Sequence, residues 1–236
     1  MNDQPDEKAP SRRERPAKPA LTREGIIAAA VSIFRSDGLS KVTMRSVAQA
    51  LDTGHASLYV YVKNTEDLHA QVLDAELASL ALPDDSRPWR ESLITLLIDY
   101  GTILLSHAEI ARMAIRTRPN GPNSAALVEA VLAQLARGGV TDLTAAWGVD
   151  VLLQYPTAVA AEHGNPSPAG SPSTIADQTP GGQAPQPADP ERFPHTAAVA
   201  EHLMSGTPQS RAEWAINVLI DGLLTASGRI NNRKQS

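Results

Sequence analysis

The sequence predicts an all-α chain, and three observations carry the prediction. Apolar residues fill 42% of the 236 positions, mostly as Ala, Leu, Val and Ile, and they recur at intervals of three and four as an amphipathic helix requires. Hydroxyl or amide side chains stand just before several of these stretches, and glycines just after them, as helix caps do. The length suits two units, a small N-terminal one and a larger one behind it. Cysteine is absent, which excludes disulfides, thiolate metal sites and cysteine nucleophiles. No apolar run approaches a membrane span or a signal peptide, so a cytoplasmic chain without a membrane partner is expected.

Each element follows from local chemistry. Residues 1–20 mix charges with prolines and lack periodicity, which predicts a flexible arm whose Arg12, Arg13, Arg15 and Lys18 are solvated or reach a DNA backbone. "TREGIIAAAVSIFRSDG" has Thr22 as cap, a stripe through Ile26, Ile27, Ala30, Val31 and Phe34, and Gly38 as stop. Thr43 caps "TMRSVAQAL", with Met44, Val47, Ala48 and Leu51 on one face. Asp52-Thr53-Gly54 reads as a turn, and "TGHASLYVYVKN" as the next helix, anchored by Leu58 and Val62. Two short helices about a tight turn form a helix-turn-helix, whose second helix enters the DNA major groove. Asn64 or Thr65 then caps a longer helix with Leu68, Val72, Ala75 and Leu80 inward, ended by Pro83.

The larger unit begins near Trp89. "WRESLITLLIDYGTILLSH" predicts a buried helix and "EIARMAIRTR" a shorter one, stopped by Pro119-Asn120-Gly121-Pro122. A third is capped by Ser124 and ended by Gly138-Gly139, and a fourth spans 141–163 with Pro156 bending it. Residues 164–194 hold eight of the eighteen prolines and predict a flexible loop. "PHTAAVAEHLMSG" resumes the helical pattern, and a last helix at 210–227 carries a Ser210/Glu213 capping box and a Gly228 stop.

Charge divides by position. Residues 1–63 carry ten Lys/Arg against seven Asp/Glu, a balance of +3, and residues 64–236 carry eleven against nineteen, or -8, which together make the net -5. A basic front on an acidic body suits a small phosphate-contacting module.

"VTMRSVAQALDTGHASLYVYVKNTEDL" has the helix, turn, Leu-Tyr and Val-Lys-Asn pattern of the tetracycline-repressor (TetR) family of bacterial transcription regulators, which the chain resembles over nearly its whole length. "LLSH" at 104–107 and "TRP" at 117–119 are similar to the body of the tetracycline-binding members. The resemblance implies a helix-turn-helix DNA-binding domain at 21–66 and a ligand-binding and dimerisation domain at 67–236. It implies a homodimer through the helices near 141–163 and 210–227, where Gly222 and Ala226 allow close approach and Trp214, Val218 and Leu219 offer apolar contact. Burial of the same residues inside a monomer is the alternative.

On that basis double-stranded operator DNA is the expected partner. Thr53, Gly54, His55 and Ser57 sit at the N-terminal end of the recognition helix, towards base edges. Tyr59 and Tyr61 are placed for phosphate or a thymine methyl, Lys63 for phosphate as the matching family lysine, and Thr43 and Arg45 for phosphate from the preceding helix. The helix is poor in Arg, Asn and Gln, so His55, apolar contacts and DNA shape are expected to give specificity.

The tetracycline site does not carry over. The family's metal-binding histidine falls on Ala114, its drug-bonding asparagine on Leu96 and its pocket phenylalanine on Tyr100, leaving Glu162 as a lone carboxylate. A magnesium-tetracycline effector, a metal site and a cofactor are therefore not expected. The expected cavity is mainly apolar, lined by Leu96, Tyr100, Ile103, Met113, Arg116, Trp147, Val151, Gln154 and Tyr155, with Arg116 suggesting an anionic or carbonyl-bearing small molecule. The function expected is a repressor released from a palindromic operator by a small-molecule effector. The alternatives are an effector-independent regulator or activator, and a helical small-molecule-binding enzyme or carrier. No catalytic residues are assigned, since no paired carboxylates or glycine-rich phosphate loop stand in the chain.

Overall fold

The computed structural model describes residues 20–84, 86–117, 121–164, 189–203 and 205–234. The predicted arm and most of the predicted 164–194 loop lie outside the described residues. Within them the chain is all-α, with no strand and no cis peptide bond. No single described helix is long and apolar enough to cross a membrane.

The helices are α1 (Arg23–Asp37), α2 (Met44–Ala50), α3 (His55–Leu58), α4 (Thr65–Leu77), α5 (Trp89–Leu105), α6 (Ala108–Arg116), α7 (Pro122–Arg137), α8 (Asp142–His163), α9 (Pro194–Ala198), α10 (Ala200–Leu203) and α11 (Pro208–Lys234), with a 3-10 turn at Leu39–Lys41. Thr22 caps α1 by accepting from the Gly25 amide, and Gly38 ends it at φ 87°, a conformation glycine adopts without a Cβ penalty. Thr43 and Ser46 make a reciprocal capping box on α2, and Asn64 caps α4 through the Asp67 amide.

Five local expectations are corrected. The recognition helix is one α turn, not three, because Tyr59, Val60 and Tyr61 are weak helix formers and α4 restarts at Thr65. Helix α4 stops at Leu77, six residues before Pro83. Gly121, not Ser124, is the N-cap of α7, with Pro122 at the first helical position where its missing N–H costs nothing. The capping box of α11 is Thr207 with Ser210, and α11 runs through Gly228 to Lys234, since a single glycine does not break a long packed helix.

One core runs from Ile26, Phe34 and Leu58 at the N-terminal end to Leu96, Leu104 and Leu152 in the larger unit. Helix α4 joins the two and is buried on nearly every face, polar Gln71, Asp74 and Glu76 included. It follows directly on the α2–α3 segment and lines the cavity described below through Leu77. Phe34 of α1 packs on His107, ring centroids 4.5 Å apart, and the Leu39 amide donates to Glu109 at 2.9 Å.

Candidate functional site

The turn between α2 and α3 is a Schellman closure. Asp52 takes a left-handed φ of 47°, its amide donates to the Gln49 carbonyl, and the Thr53 amide donates to the Ala48 carbonyl at 2.9 Å. That closure sends Gly54 out as the N-cap of α3. Leu58 and Val62 anchor the segment in the core, while Gly54, His55, Ser57, Tyr59 and Lys63 stay exposed and Thr53 is half-buried. Arg45 is exposed on α2, and Thr43 is exposed with its hydroxyl engaged in the cap. The rings of His55 and Tyr59 meet edge to face at 6.4 Å.

Tyr61 departs from the expectation. It is half-buried and its hydroxyl donates to the Leu21 carbonyl at 2.7 Å, tying the recognition segment to the start of α1. Its proton is thus unavailable to phosphate. Val60, absent from the expected contact residues, is 81% exposed beside Tyr59. The signal was a branched apolar residue at a position the Leu58/Val62 anchoring turns outward.

The second site is a cavity of about 240 Å³ lined by eleven residues of five helices. Leu77 comes from α4, Tyr100 from α5, Ala114 and Ile115 from α6, Ser124, Leu127 and Val128 from α7, and Asp150, Leu153, Gln154 and Thr157 from α8. Of the nine expected wall residues, Tyr100 and Gln154 are on it. Leu96 is fully buried in the core, and Ile103 and Met113 pack against that core. Tyr155 faces the opposite side of α8, beside Leu97, Ile98 and Ile216. Arg116 is exposed at the end of α6, and Trp147 (69% exposed) and Val151 lie on the outer face of α8. Helix α8 is apolar on several faces, so its periodicity could not say which one meets the cavity.

Polar atoms hold the wall. The Tyr100 hydroxyl meets Thr157 Oγ1 at 2.9 Å, and burial raises the phenol pKa, with the bond to Thr157 opposing. Buried Asp74 of α4 reaches the first turn of α7. Its Oδ1 accepts from the Ser124 amide and hydroxyl, both at 2.7 Å, and its Oδ2 from Asn123 Nδ2 at 3.1 Å and the Asn123 amide at 3.3 Å. This is a helix cap supplied by another helix. Gly121 makes it possible, since a Cβ there would stand 2.1 Å from the Asp74 carboxyl carbon. A second tie joins α6 to α4, from the Thr117 hydroxyl to Glu66 at 2.6 Å. Among the described residues no cluster of three His, Asp or Glu side chains is placed to hold a metal ion.

An apolar row lies open on each of two packed helices: Leu143, Trp147 and Val151 on α8, and Trp214 and Val218 on α11. Leu219, in contrast, packs inward, and a Cβ at Gly222 would meet nothing within 4 Å.

Residues 26–72 match the family model for bacterial regulatory proteins of the tetR family, and residues 82–227 the model for the tetracyclin repressor-like C-terminal domain. A solved Streptomyces transcription regulator is 44% identical, covering 87% of this chain and 96% of its own with a TM-score of 0.72. ActR of Streptomyces coelicolor, solved in complex with actinorhodin, is 34% identical over 89% of this chain and 99% of its own, at a TM-score of 0.70. An HTH-type transcriptional regulator of Saccharopolyspora erythraea is 34% identical over 80% of this chain and 85% of its own. The chain belongs to the TetR family of transcriptional regulators, with a helix-turn-helix DNA-binding domain ahead of a helical C-terminal domain.

Proposed function

We propose that this TetR-family regulator is a repressor that grips a palindromic operator as a homodimer and is released when a small molecule enters the cavity. The observation that carries the reading is the position of α4, which leaves the DNA-reading segment at one end and supplies Leu77 to the cavity wall at the other. The DNA-binding domain is residues 21–66, and residues 67–236 bind ligand and dimerise. His55, Ser57, Tyr59 and Val60 face base edges and groove walls, and Arg45, Thr43 and Lys63 the phosphates. The open rows on α8 and α11 supply the dimer contact, since large apolar side chains four residues apart want a partner surface.

Release requires that the effector bind one arrangement of α4 better than the other. Two ties are available for that. Asp74 holds α4 to Ser124 of the wall, and Glu66 holds it to Thr117 at the end of α6. A ligand that shifts α6 or the first turn of α7 works against these bonds and turns α4, changing the distance between the two DNA-reading ends. That ActR was solved in complex with actinorhodin supports a small-molecule effector.

The test is selection of the full-length protein against a randomised DNA pool at stated salt. An enriched palindrome with half-sites about one helical turn apart is expected. Salt-sensitive binding with no enriched sequence would overturn the reading.

A further inference from the structure

We infer that the cavity selects a ligand that donates hydrogen bonds, an apolar-bodied molecule bearing hydroxyl or phenol groups, and disfavours carboxylates and phosphates. The inference rests on the reading of the cavity as the effector site and names the chemistry of what enters it.

It follows from where the wall's protons already go. Thr157 Oγ1 lies 2.7 Å from the Leu153 carbonyl, which only accepts, so the one Thr157 proton is committed there. The Tyr100 hydroxyl, 2.9 Å from the same Oγ1, must therefore be the donor of that pair. Ser124 gives its hydroxyl proton to Asp74 at 2.7 Å. All three wall hydroxyls thus have their protons directed at protein, and what they have left for a ligand is lone pairs. The amides of the first turn of α7, the usual seat for an anion, are taken by the Asp74 carboxylate at Asn123 and Ser124.

The remaining wall reinforces this. Among the described lining residues, Gln154 adds an amide with both an acceptor oxygen and an N–H donor, and none is a Lys, Arg or His. Arg116, the cation expected beside the ligand, is exposed and off the wall. A carboxylate entering here gives up its water and meets oxygen lone pairs, whereas a hydroxyl finds acceptors. Leu77, Leu127, Val128 and Leu153 take the apolar body.

The test uses hydroxy, methoxy and carboxy derivatives of the same skeleton, for naphthalene, stilbene and anthraquinone, titrated calorimetrically into the full-length protein. The hydroxy member is expected to bind at least about tenfold tighter than its ether and its carboxylate. Tyr100→Phe should shrink that ratio with little change of shape. Thr157→Val should move it the same way by another route, since it frees the Tyr100 proton to donate to an ether or a carboxylate. Circular dichroism checks that each variant folds. A carboxylate or ether that binds as tightly as the hydroxyl, or binding by no member of any triplet, overturns the inference. Release of the selected DNA is read separately. A hydroxyl ligand that is preferred but leaves DNA bound sinks the effector reading and spares the donor rule, and a carboxylate that binds and releases DNA does the reverse.

Discussion

The recognition segment from Thr53 to Lys63 is eleven consecutive residues, and the cavity wall is eleven residues drawn from five helices. The first is held by its own turn, the Asp52 Schellman closure, and by two anchors in the core, Leu58 and Val62. The second exists only because distant helices are tied together, most firmly where Asp74 of α4 caps α7 fifty residues away. A surface built locally survives the loss of one side chain with its shape intact. A cavity assembled from separate helices does not, and on the proposed function this asymmetry lets the cavity respond to a ligand while the recognition segment keeps its shape.

The sharpest way to break the comparison is Asp74→Ala. It leaves the Ser124 and Asn123 donors without their buried acceptor, and it should cost about 3 kcal/mol in urea unfolding. Gly121→Ala should cost stability through the same joint, by pushing a Cβ into the Asp74 carboxylate. A near-neutral Asp74→Ala would mean that the α4–α7 tie is incidental.

Changes on the recognition segment should spare stability and alter binding instead. Lys63→Ala is expected to weaken binding to every sequence by about tenfold and to lower the slope of affinity against salt by roughly one. His55→Ala should change the preferred bases, as read by repeating the DNA selection. Uniform weakening in both variants would remove the division between phosphate and base contacts.

Tyr61→Phe tests whether the Tyr61 hydroxyl serves the fold and not the DNA. It deletes the bond to the Leu21 carbonyl and should cost about 1 kcal/mol of stability without changing base preference. A large loss of DNA affinity at unchanged stability would return Tyr61 to the DNA face.

The smallest effect concerns pH at the joint between the two regions. Burial against Phe34 pushes the His107 pKa below its ordinary 6.5, Arg35 adds to this, and Glu76 and Glu109 oppose it. Below about pH 6.5 the unfolded chain binds a proton that the folded one resists. Stability is therefore full above that value and is lost as pH falls through the folded pKa. His107→Gln should flatten the fall in melting temperature between neutral and mildly acidic pH. An unchanged slope would place the titrating group elsewhere.

Much of the fold was legible because helices announce themselves locally. Thr22, Thr43 and Asn64 cap as their spacing implies, and the positions of Ile26, Met44, Val47, Leu58 and Leu68 declare their inward faces without reference to anything distant. The misses arose where two local signals compete or a distant one decides. Ser124 is a good cap residue two places inside a helix that Pro122 begins. Trp147 and Val151 sit on an apolar helix where several stripes qualify as inward, and only packing against α5, α6 and α11 leaves theirs outside.

The sequence by itself determined where most of the helices lie, where the turn between α2 and α3 falls and which residues anchor the segment after it in the core, because each depends on interactions within a few residues. Only the tertiary structure decided which side chains enclose the cavity, that Asp74 caps a helix it does not belong to, and which way the protons of Tyr100, Thr157 and Ser124 point. A hydrogen bond's direction is set by the partner it finds, and those partners are brought together by packing rather than by order along the chain.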